Sequence, residues 1–259
     1  MSNTSAVTPI DTSASEPSLV AACLAGAAVA PVALARWLSA ETTEDREALA
    51  DLEHTQRREL LSAGATRDAV DRVPADVLRI SSTRLRTREI EPLVAAAERL
   101  GFRREPRVPS EGGLSDLVML IAATGERLAL TRDATGRVNL HEAGSTRLAQ
   151  RVTRRHTTDR VVAHQESRGM HVTARDLGDG QVEIEAREKQ EPGADGTRVV
   201  TTVKGDGSAV VDIDGVCGDR CEKVVRGIAE AIGGVVTNTT RRPAFFQRPG
   251  ESATVKVRA

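Results

Sequence analysis

Tyrosine is absent from this chain, and the aromatic residues are limited to Trp37, Phe102, Phe245 and Phe246. Single-strand nucleic-acid binders lean on aromatic stacking platforms, so that class is excluded. A net field that would draw the chain to DNA is lacking too, since 36 Lys and Arg stand against 37 Asp and Glu. Cysteine is confined to Cys23, Cys217 and Cys221, too few for the disulfide framework of a secreted scaffold, which points to a reducing compartment. Catalytic signatures are missing as well. There is no Gly-x-Ser-x-Gly elbow, no His-Glu-x-x-His, no phosphate loop ending in Lys-Ser/Thr, and no Gly-x-Gly-x-x-Gly opening a helix.

What is present falls into segments. Residues 1–18 (MSNTSAVTPIDTSASEPS) are rich in Ser, Thr and Pro without periodicity, and are expected to be disordered. No basic region precedes the apolar run that follows, so a signal peptide is not expected. That run, LVAACLAGAAVAPVALARWL at 19–38, has no charge before Arg36 and the length of a membrane span. About half of it is Ala and Gly, and Pro31 interrupts it, so two readings stay open. It is either a span anchored by Arg36 and Trp37 or an Ala-rich helix packed within protein. Residues 39–75 read as a charged helical linker or coiled-coil-like stalk, with a partial stripe of Leu49, Leu52, Leu60 and Leu61.

From residue 76 to 189 the pattern is that of a folded domain. Val77-Leu78-Arg79-Ile80 reads as a strand, and Ile90, Leu93, Val94, Ala97 and Leu100 recur at helical spacing up to Gly101. Three extended runs follow at 116–124, 127–136 and 137–143, then a long helix over 145–169 and a hairpin turned at Gly178-Asp179-Gly180. The order β-helix-β-β-β-helix-β-β predicts an α+β fold, a mainly antiparallel sheet with helices on one face, preceded by the N-terminal helical segment. Residues 190–196 (QEPGADG) read as a linker. Beyond them, 197–248 predict a ββα unit: a hairpin at Gly205-Asp206-Gly207, a helix over Asp219–Ile232 and an aromatic tail, with 249–259 closing the chain.

The segment from about Ile80 to Glu188 carries Arg99-Leu100-Gly101-Phe102, Asp116-Leu117-Val118, Leu148-x-Gln150-Arg151, Val161-Val162, Gly169-x-x-Val172 and the Gly178–Gly180 turn. In these it resembles an uncharacterised open-reading-frame family shared by plastid genomes, cyanobacteria and other bacteria. Residues 197–247, with Gly215, Cys217, Cys221, Ile232-Gly233 and Phe245-Phe246, resemble a second domain of unknown function often encoded beside the first. The resemblance implies no activity, no cofactor and no catalytic residue; it implies an adaptor that works with an AAA-type ATPase.

The residues allow two further expectations. Cys217 and Cys221, four apart at a helix start, sit on one face and could form a thiol-redox or metal-responsive pair, although a closed zinc site would need two more ligands. Packing of Cys221 with Val224, Val225 and Ile228 is the simpler alternative. Arg151, Arg154 and Arg155 make the densest basic patch, on one face of the long helix, and with Phe245 and Phe246 they are the candidate partner-binding residues. The expectation is therefore a non-enzymatic interaction protein with a protein partner and no nucleic acid. It would be cytoplasmic, or associated with the inner membrane through 19–38 with its globular part in the cytoplasm.

Overall fold

A computed structural model describes residues 3–8, 29–39, 46–105, 116–144, 147–188, 196–215 and 219–240. The fold is α+β with two antiparallel sheets, and the chain divides into two compact units. One holds Met1–Ile10 and Thr153–Ala259, the other Asp11–Val152. This division differs from the expected boundary at 190–196. The first strand, β1 (Asn3–Thr8), already departs from expectation, because it lies inside a stretch read as disordered.

In the unit of residues 11–152, four helices precede the sheet: α1 (Val29–Ser39), α2 (Arg46–Ser62), α3 (Arg67–Asp71) and α4 (Ala75–Leu78). Then come β2 (Ile80–Arg84), α5 (Glu91–Arg99), β3 (Phe102–Arg104), β4 (Val118–Ala122), β5 (Arg127–Arg132) and β6 (Val138–Ala143). The strands join in the order β2-β6-β5-β4-β3. Two of these elements correct the sequence reading. Val77 and Leu78 lie in α4, whose N-cap is Pro74, so the strand begins only at Ile80. The three-residue β3 is too short to show an alternation.

The Ala-rich segment ends inside this unit. Leu34, Ala35 and Leu38 of α1 are buried together with Val73, Val77, Leu78, Ile80, Met119 and Ala129. Trp37 packs on the same cluster, its carbonyl accepts a bond from Arg127 Nη1 at 2.7 Å, and the Arg127 guanidinium lies 5.2 Å from its ring. Trp37 is thus an internal contact and not an interfacial anchor. No helix among the described residues is long and apolar enough to cross a membrane. The charged stalk is likewise tied to its own unit. Glu53 bridges Arg57 and Arg79, and Gln56 Nε2 donates to the Ile80 carbonyl at 2.9 Å.

The long helix α6 (Arg147–Ser167) starts in this unit and ends in the other, the division falling between Val152 and Thr153. The second sheet contains β7 (His171–Gly178), β8 (Gln181–Arg187), β9 (Arg198–Val203), β10 (Ala209–Asp214) and, after α7 (Asp219–Ala231), β11 (Val235–Thr240). Its order is β11-β1-β10-β9-β8-β7. The hairpin expected to close one domain (β7, β8) and the pair expected to open the next (β9, β10) therefore belong to one sheet. Val182 to Arg187 pair residue by residue with Val203 to Arg198. The N-terminal strand sits between β10 and β11, with Val7 1 % exposed.

Strands β9 and β10 alternate strictly. Val199, Val203, Val211 and Ile213 point into a core shared with Val161 of α6 and with Cys221, Val225 and Ile228 of α7. Gly207 shows how closely α6 approaches the β9–β10 turn. Its φ is +83°, and a Cβ there would lie 2.5 Å from Thr153 Cγ2 and 3.0 Å from the Thr153 carbonyl carbon, so only glycine fits. The Thr157 hydroxyl donates to the Gly207 carbonyl at 2.9 Å and fixes the contact.

Candidate functional site

Cys221 is 1 % exposed and packs among the apolar residues of α7, whereas Cys217 lies outside the described residues. Among the described residues no group of three or more His, Cys, Asp or Glu could hold a metal. Phe245 and Phe246 also lie outside the described residues.

The three arginines are separated by their partners. Arg151 Nη1 stands 3.6 Å from Glu126 Oε1 in one unit, and Arg155 Nε stands 3.1 Å from Asp159 Oδ1 in the other. Arg154 is half-buried, with its guanidinium at the β7–β8 turn, where a Cβ on Gly180 would lie 2.8 Å from Nη1. The basic patch is therefore partly neutralised, and Arg154 is spent on covering a turn.

Three buried polar groups, Glu142, His141 and Gln165, and the half-buried His164 take their character from the fold. Glu142 of β6 is 2 % exposed, and its carboxylate accepts from Leu148 N–H at 2.8 Å and Ala149 N–H at 3.0 Å. It caps α6 across the turn at Gly144, where charge meets the positive helix end. His141 is buried on the adjacent position, with Nδ1 2.8 Å from Ser82 Oγ and Nε2 2.8 Å from Thr131 Oγ1. Burial holds its imidazole neutral and pushes its pKa down to about 4. In the other unit His164, beside Gly227, is shifted down by burial and by Arg168 and Arg160, against the pull of Glu230. Gln165 is fully buried, and neither atom of its carboxamide has a hydrogen-bond partner. Nothing marks any of these in a sequence, because what sets them apart is an environment assembled from distant segments.

A cleft of about 530 Å³ opens at the start of α5 in the unit of residues 11–152. Its charged walls are largely paired. Arg132 Nε donates to Asp116 Oδ2 at 2.8 Å, Arg132 also bonds the Arg88 carbonyl, and Glu91 is held by Arg104. The lining offers no hydroxyl, thiol or imidazole; the groups it could set to acid–base work are the carboxylates of Glu89, Glu91 and Asp116, of which Glu91 and Asp116 are held by arginines.

The most distinctive exposed element is the end of the six-stranded sheet. β11 reads VVTNTT, with no charge and no proline, and Val235 and Val236 are each 40 % exposed. The opposite edge, β7, bears His171, Arg175 and Asp176, and its pairing with β8 shifts register between Asp176 and Gly178. Charges and bulges are the devices that protect sheet edges from further pairing. The edge at β7 has both. β11 has only a bulge against β1, between Ala6 and Val7. Comparison of the chain with protein-family models, with curated proteins and with solved structures finds no match. The likeness to the plastid and cyanobacterial family accordingly rests on the motifs alone.

Proposed function

We propose that this chain is a non-enzymatic interaction protein, an adaptor that docks a protein partner by strand addition at β11. The observation that carries the reading is the uncharged, β-branched edge with two neighbouring exposed valines. In strand addition the main chain supplies hydrogen bonds and alternate side chains supply selectivity, so a strand rich in Val and Thr that ends its sheet among the described residues suits the role. The partner class is an AAA-type ATPase, on the strength of the motif resemblance.

The test is affinity purification of the tagged full-length chain from its host, run beside Val236→Lys. Stoichiometric recovery of an ATPase with the natural chain and its loss with the variant is the expected result. Equal recovery with both would remove β11 from the account, and no protein recovered with either would remove the adaptor reading.

A further inference from the structure

Helices α6 and α7 touch at two points. Arg160 Nε donates to the Ala231 carbonyl at the end of α7, at 2.7 Å. One turn further along α6, the His164 imidazole lies against Gly227 so closely that a Cβ there would stand 3.0 Å from Nε2 and 3.2 Å from Cε1. Nε2 is buried at this contact and has no hydrogen-bond partner. A neutral ring tolerates that position. An imidazolium does not, because both its nitrogens carry protons and a charged donor without an acceptor loses its solvation uncompensated. The charged groups that reach the ring are Arg160 and Arg168 of its own helix, which repel a proton, and Glu230 of α7, which attracts one. Burial is the largest influence and acts with the two arginines, so the closed seam favours the neutral ring. What the seam holds in place is the helix that carries Cys221, Val224, Val225, Ile228 and Ala229 into the core.

We infer that His164 and Gly227 form an acid-released latch: with the imidazole neutral α7 is seated on its core, and proton uptake by the ring loosens α7 and opens the way to Cys221. With the seam open, the ring takes up its proton near pH 6.5 like any exposed histidine. With the seam closed it does so only at lower pH. The open form therefore binds more protons as the pH falls below 6.5, and the latch is fully engaged only above that value. α7 leads through Gly233 and Gly234 into β11, so the same release loosens the strand proposed to dock. The latch stands whether or not β11 has a partner.

Cys221, 1 % exposed when α7 is seated, is the readout. The full-length chain with Cys23→Ser and Cys217→Ser is labelled with 4,4′-dithiodipyridine from pH 7 to pH 5, each rate being divided by that of the unfolded chain at the same pH. The normalised rate is expected to rise as the pH falls, by no more than about tenfold per unit because one proton is involved. His164→Gln, folded by circular dichroism at pH 7, is expected to abolish the rise. The two neighbouring charges separate this from general acid unfolding. Arg168→Gln eases protonation of the closed form and is expected to shrink the rise, whereas Glu230→Gln hinders it and is expected to enlarge the rise. A flat rate in the natural sequence at all three other positions, a rise that survives His164→Gln, or two charge variants that act in the same direction would each overturn the inference.

Discussion

The central strands of the five-stranded sheet, β5 and β6, are buried on both faces, and those of the six-stranded sheet, β9 and β10, on one, and they are written accordingly. β5 keeps Leu128, Ala129, Leu130 and Thr131 all inside, and β6 does the same from Val138 to Glu142. β9 and β10 bury every second residue and turn Val200, Thr202, Val210 and Asp212 outward. The outward face is laced with ion pairs. Glu185 accepts from both Arg187 and Arg198, Arg198 also faces Asp214 at 3.6 Å, and Arg175 meets Glu183 at 2.8 Å. A strand covered on both sides can carry polar residues only where they find fixed partners, as His141 does between Ser82 and Thr131. A strand with one wet face needs no such pairing there, and water can stand in for any partner. The sheet with the wet face is also the one whose terminal described strand, β11, carries no charge.

The sharpest way to break this contrast is to shorten one residue in each sheet. Leu130→Ala, inside the doubly covered sheet, is expected to cost about 3–4 kcal/mol through lost burial and a cavity. Val200→Ala, on the half-open face, should cost about 1 kcal/mol or less. Chemical denaturation of both variants measures the pair, and equal losses would mean that the outward face of β9 is covered after all.

Acid gives a second contrast, because His141 is buried neutral. In the unfolded chain a histidine takes up its proton near pH 6.5, while folded His141 does so only near pH 4. Between those values the unfolded state binds more protons, so the contribution is complete above pH 6.5 and falls as the pH drops. The loss reaches about 3 kcal/mol below pH 4. Stability measured against pH should show this fall, and His141→Gln should flatten it; an unchanged slope would mean that the imidazole is wet.

The smallest effect is expected on the open face. Glu185 is held below the usual carboxylate range by hydrogen bonds from Arg198 and Arg187, yet the cluster is solvated and screened. Glu185→Gln should therefore change stability by no more than about 0.5 kcal/mol, with the difference vanishing in high salt. A larger, salt-resistant loss would show that this face is covered by something.

How much of this was legible beforehand follows from the range of the interactions. α5 and α7 were readable from apolar residues at helical spacing, and the hairpins from Gly178-Asp179-Gly180 and Gly205-Asp206-Gly207, because those signals are local. The candidate site was far less legible. Arg151, Arg154 and Arg155 are neighbours in sequence, but the acids and turns that occupy them come from elsewhere. VVTNTT reads as the start of a tail until it is known to have a sheet on one side and nothing described on the other.

The sequence by itself determined the helix-and-hairpin vocabulary, the aliphatic core and the α+β class, since periodicity and turn chemistry act within a few residues. Only the tertiary structure decided that Asn3–Thr8 is a strand, that β7 and β8 join β9 and β10, that α1 ends in a core, and which described strands end each sheet. Strand pairing is set by contacts between segments up to the whole chain apart, and a strand shows its own alternation but not the neighbour that completes its hydrogen bonds.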